Sequence, residues 1–117
     1  YGLLIAGALF AILRWLLMAA TTNTALVFVG QALHAFSFAA THLGSIFALT
    51  RLVGETRRAQ AQGWISGANA LTMAFVSVMS GHLWKAFGLS AYLFMAGVAA
   101  LGLALAVAAA LDPRRDD

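Results

Sequence analysis

Four apolar runs, each long enough to cross a bilayer, make up most of this 117-residue chain. They cover residues 1–20, 25–53, 59–84 and 90–111. A helical span takes about 20 residues. Backbone in hydrocarbon must satisfy its own hydrogen bonds, so spans are helices or closed barrels. Barrel strands would alternate over about 10 residues. No such alternation occurs, and the fold class expected is an all-α membrane protein with four transmembrane helices. Composition agrees: 62% of residues are hydrophobic and 9% charged, against about 25% charged in soluble domains.

The connections are short. Residues 21–24 read as a polar turn, 54–58 as a charged loop, and 85–89, with Gly88, as a tight turn. Asp112-Pro113 ends the last helix, because Pro cannot continue one, and 112–117 form a tail. Arg51, Arg57, Arg58, Arg114 and Arg115 fall on one side of the expected membrane, and Lys85 faces them from the other. The positive-inside rule makes the Arg-rich side cytoplasmic, together with both termini. Trp64 and Trp84 then sit near the two interfaces. The first run has no basic leader or small-residue cleavage site, so it reads as a span and not as a secretory signal. It opens at Tyr1, already apolar, and the chain is expected to be a fragment whose N-terminal helices are missing.

The formal charge of +3 does not point to nucleic acid, since the basic residues lie between apolar runs and form no aromatic-interleaved patch. The chain has no Cys and hence no thiol chemistry. There is no nucleotide-binding loop, paired carboxylate or metal-spaced cluster. His34 and His42 are two helical turns apart, too far for one metal without a third ligand. No enzyme activity, metal or cofactor is expected.

Arg14 is the only charge between Tyr1 and Ala20. Arg at a helix centre costs roughly 2.5–3.5 kcal/mol on the insertion scale, and Leu, Ile and Phe each return about 0.3–0.6 kcal/mol. Nine such residues share the run, so the helix can still span. An intramembrane charge is a functional-site hypothesis by default; the alternative is snorkelling to the interface. At about 1.5 Å per residue, Arg14 lies roughly 10 Å and His34 roughly 15 Å from the 21–24 turn, within side-chain reach if the helices face suitably.

On a helical wheel of about 100° per residue the second run gathers Gln31, His34, Ser37, Phe38, Thr41, His42 and Ser45 on one arc. Ala32, Phe36, Ala39, Leu43 and Phe47 take the other. The third run aligns Gln62, Ser66, Asn69, Thr72, Ser77 and Ser80, beside Gly63, Gly67, Ala70, Ala74 and Gly81, a spacing that lets helices approach closely. Two aligned polar stripes predict a water- or substrate-lined path; the alternative is interhelical hydrogen bonding.

Arg14, the stretch Gln31-Ala-Leu-His-Ala-Phe-Ser-Phe38 and Thr41-His42 together resemble the later helices of the phenylpropionate-permease branch of the major facilitator superfamily, and more distantly its lactose-permease-like members. Gly81-His-Leu-Trp-Lys-Ala-Phe-Gly88 followed by Tyr92 is similar to the superfamily's turn between its last two helices. The resemblance implies helices 9–12 of a twelve-helix fold in a bacterial inner (plasma) membrane, and proton-coupled symport by alternating access around a midplane site. Lactose-permease-like members carry a carboxylate where this chain has Ser37, and a Lys where it has Gln31, so their carboxylate coupling does not carry over.

The function expected is proton-coupled transport of a small organic or aromatic acid. Arg14 would pair with the carboxylate and His34 would donate or titrate. Gln31, Ser37, Phe38, Thr41, His42 and Asn69 would line the path. Partners would be a small-molecule substrate, protons, the lipid bilayer and the missing helices. The alternatives are a sugar or nucleoside:proton symporter of the same superfamily, a self-contained four-helix exporter, or a membrane assembly subunit.

Overall fold

The computed structural model describes residues 1–112. The tail residues 113–117, with Pro113, Arg114 and Arg115, lie outside the described residues. Four α-helices follow in order: α1 (Gly2–Ala20), α2 (Thr24–Leu52), α3 (Arg58–Phe87) and α4 (Ala91–Ala110). Single 3-10 turns, Glu55–Arg57 and Gly88–Ser90, precede α3 and α4.

The ends have local causes. Thr21 is extended and stops α1. Asn23 caps α2 by accepting from the Ala25 N–H at 2.9 Å, and its own N–H donates to the Thr21 hydroxyl at 3.0 Å. Asn is among the strongest N-caps because its side-chain oxygen takes an otherwise unpaired amide. The helix α3 runs through Lys85-Ala86-Phe87, three residues past the limit expected from hydropathy. It ends where Gly88 takes φ +54 and ψ −132, with the Gly88 N–H donating to the Trp84 carbonyl.

Three helical stretches are long and apolar enough to cross a membrane: Gly2–Ala20, Thr24–Leu52 and Glu55–Ala110. The four spans expected from the sequence are thus three stretches by length and hydropathy, the third holding both α3 and α4. A straight helix of those 56 residues would measure about 84 Å. The longest dimension of the molecule is 48 Å, so the chain reverses at Gly88.

The central helix is α1, which packs along both α2 and α4, while those two hardly touch. The α1–α2 seam is made by small residues. Gly30, Ser37 and Gly44 are the buried positions of α2 and fall seven apart, the period that keeps one face turned to a neighbouring helix. Gly7, the buried residue of α1, sits against Ser37 and Thr41. A Cβ there would lie 3.0 Å from the Thr41 amide nitrogen and 3.1 Å from the Ser37 carbonyl oxygen, and closer still to Thr41 Oγ1. Gly44 is crowded in the same way by Leu4. On α4 the buried residues are Ala91, Ala96 and Ala106.

By contrast, α3 has no buried residue. It meets the bundle through its N-terminal half, against α2, and at its C-terminal end, where Phe87 packs on Phe94 at 5.3 Å between ring centroids. The close approach expected along its small-residue face is not made within the described residues: Gly63, Gly67 and Gly81 have open space where a side chain would stand. Tight packing needs a partner surface of matching shape, and here the matching pair is Gly7 with α2.

Candidate functional site

Because α3 meets the bundle through its N-terminal half and its C-terminal end, a cleft opens between the rest of it and the other three helices. The cleft has a volume of about 610 Å³ and lies at the end of the bundle that carries the 21–23 and 88–90 turns. This is within the range of small-molecule sites, about 300–1,000 Å³. Each helix contributes: Arg14 and Trp15 from α1, His34 from α2, Ser77, Ser80 and Trp84 from α3, Tyr92 and Met95 from α4.

Arg14 is half-buried, and its guanidinium carbon stands 3.7 Å from the Trp15 ring centroid. A desolvated cation over an indole gains about 2 kcal/mol, which offsets part of the cost of holding charge in an apolar helix. The Trp15 ring also stacks on Tyr92 (centroids 5.6 Å, planes 23° apart), and Tyr92 meets Trp84 edge-on at 5.7 Å. Three aromatic side chains from three helices thus form a continuous wall beginning at the cation. Arg14 Nε is shielded from solvent and makes no hydrogen bond among the described residues. No acidic residue occurs anywhere in the four helices; Glu55 and Asp112 lie outside them.

The residues expected to line one path divide into three groups. Arg14 and His34 share the large cleft, together with Ser77 and Ser80. His42 and Asn69 share a second, smaller nook between α2 and α3 with Ser45, Gln62 and Ser66. Ser37 and Thr41 turn toward α1. Ser37 is 6% exposed, and its hydroxyl donates to the His34 carbonyl at 2.9 Å. Thr41 donates to the Ser37 carbonyl at 2.7 Å and crowds Gly7. At Ser37 the α1 backbone, admitted by Gly7, covers that edge of the polar arc. Gln31 is exposed and lines neither cleft.

Phe38 is 64% exposed and bridges the two histidines of α2. Its ring lies parallel to that of His42 (5.8 Å, 4°) and tilted to that of His34 (6.3 Å). The row His34–Phe38–His42 is one stripe at four-residue spacing, which connects the large cleft to the nook.

Sequence reasoning left Trp15 without a role, treated Trp84 as an interfacial anchor, and took Tyr92 as part of a turn. The signal for their joint role was present in part. Trp15 adjoins the only charge of its run, and Tyr92 is the last polar side chain before α4 becomes uniformly apolar.

Compared with known protein families, residues 1–96 match the model of the MFS_1 like family, which takes in α1, α2, α3 and the first turns of α4. No curated protein matches the chain, and no solved structure does.

Proposed function

Since this chain belongs to the MFS_1 like family, within the major facilitator superfamily, we propose that it forms helices 9–12 of a proton-coupled transporter for a small organic or aromatic acid, working by alternating access. The family and the apolar helices point to a membrane-embedded transporter of the major facilitator type, and not to an enzyme. In this reading α3 and α4 cross the membrane separately, and the Arg-bearing 54–58 loop and both termini face the cytoplasm of a bacterial cell.

The observation that carries the reading is the half-buried Arg14 guanidinium, on the wall of a ligand-sized cleft in helices that hold no carboxylate. A cation in an apolar setting needs a counter-charge. A substrate carboxylate supplies it, bound through the planar N–H fork that suits Arg to such groups. His34, on the same wall, donates to the substrate or exchanges a proton with it. Ser77 and Ser80 offer further hydroxyls.

The test is uptake of 3-phenylpropionate and of lactose by membrane vesicles carrying the full-length protein, under an imposed pH gradient. Uptake of the acid and not of the neutral sugar is expected. Arg14→Ala should lower acid uptake about tenfold to a hundredfold, the equivalent of a lost hydrogen bond to a charged group. His34→Ala should uncouple uptake from the pH gradient. Acid uptake unchanged in both variants would sink the assignment, and lactose uptake would favour the sugar symporter.

A further inference from the structure

Resting on the reading that Arg14 takes the carboxylate, we infer that Trp84 and Tyr92 are specificity-determining residues, which bind the flat, unsaturated body of the transported acid. The guanidinium face of Arg14 is held against Trp15. Its N–H donors lie in the guanidinium plane, so a carboxylate approaches along the edge and its substituent extends into the cleft. Trp15 is already engaged by Arg14 and by Tyr92. Trp84 is 49% exposed and belongs to the cleft wall, with Tyr92 fixed at its edge.

The other walls are mainly apolar. Met73, Val76, Leu83 and Met95 line them without charge, beside the Ser77 and Ser80 hydroxyls. Thioethers favour contact with ring edges, and aromatic side chains favour offset or edge-on rings over aliphatic groups of equal size. An acid bound in this way joins Arg14 on α1 to the α3–α4 turn. That is one of the two places where α3, which has no buried residue, meets the bundle.

Two probes of equal charge and similar size separate the ring from the carboxylate: 3-phenylpropionate and 3-cyclohexylpropionate, each competing for labelled uptake by the full-length protein. The unaltered protein should prefer the aromatic acid by about threefold to tenfold, the range of an aromatic pair. Trp84→Leu should bring the ratio close to one, Trp84→Phe should keep most of it, and Tyr92→Leu should reduce it. A ratio of one in the unaltered protein overturns the inference whether or not any variant folds. So does an undiminished ratio in Trp84→Leu. If Arg14→Ala abolishes uptake of both acids while the Trp84 variants leave the ratio alone, the inference fails and the transport reading stands. If no acid is taken up, both fail.

Discussion

The guanidinium of Arg14 lies 3.7 Å from the ring centroid of Trp15, its own neighbour in the chain. Successive residues on a helix diverge by about 100° and do not ordinarily meet. Contact here requires the Arg14 side chain to bend over the indole. The Tyr92 ring stacks on that indole and braces it from α4. The charge of α1 is thereby both shielded and oriented.

Trp15→Leu should destabilise the protein by about 2 kcal/mol or more, from the cation–π contact and the lost stacking on Tyr92. Trp15→Phe should recover part of this. Thermal unfolding in detergent reads the stability, and the KM for acid uptake should rise in parallel. Equal melting temperatures for the natural and Leu forms would contradict the role given to Trp15.

Gly7 allows α1 to approach α2. Gly7→Ala places a Cβ against Thr41 Oγ1, the Thr41 amide nitrogen and the Ser37 carbonyl. Overpacking of this kind costs about 1–3 kcal/mol. Adding Thr41→Ala removes the hydroxyl but not the backbone atoms, so a double-mutant cycle should show partial rescue. Full additivity of the two changes would mean that the residues do not meet.

Gly88 has φ +54 and ψ −132, outside the left-handed helical region, where ψ is about +30 to +60°. Gly88→Ala should therefore destabilise the α3–α4 turn by about 1 kcal/mol or more. Gly88→Asn should do no better, since Asn tolerates the left-handed helical region and not this one. Proteolysis at the turn, compared across the three forms, would show it; an Asn form as resistant as the natural one would contradict the conformation.

Arg58 donates to the Thr50 carbonyl at 3.2 Å and pairs with Glu55 at 3.5 Å. It thus puts a cation at the C-terminal end of α2, where the helix dipole favours one. Arg58→Ala should cost about 0.5–1 kcal/mol. Glu55→Ala should cost less, because the pair is solvent-exposed. Chemical unfolding of the two variants ranks them, and the reverse order would assign the effect to the ion pair.

Local chemistry was legible wherever one helix sufficed to decide it. Polar residues between apolar runs marked the turns, and Gly88 marked the reversal. The Gly- and Ala-rich stripe of α3 suggested a packing seam that the described residues do not form, while Gly7, in a helix with no such stripe, makes the closest approach. A small residue permits close contact; whether contact occurs depends on the partner. Gly30, Ser37 and Gly44, seven residues apart, carry the α1–α2 seam in plain view, and Ser37 belongs to it by its small size.

The sequence alone determined that this chain is helical, membrane-embedded and charged inside its first helix without a carboxylate in the four helices to balance that charge. Tertiary structure decided which polar side chains share a space. Helical periodicity sets the angles between residues of one helix and is silent about how that helix is rotated against the next. Here the rotation is set by Gly7 seating against Ser37 and Thr41. That contact turns one edge of the α2 stripe into the α1–α2 seam and leaves His34 facing the cleft with Arg14.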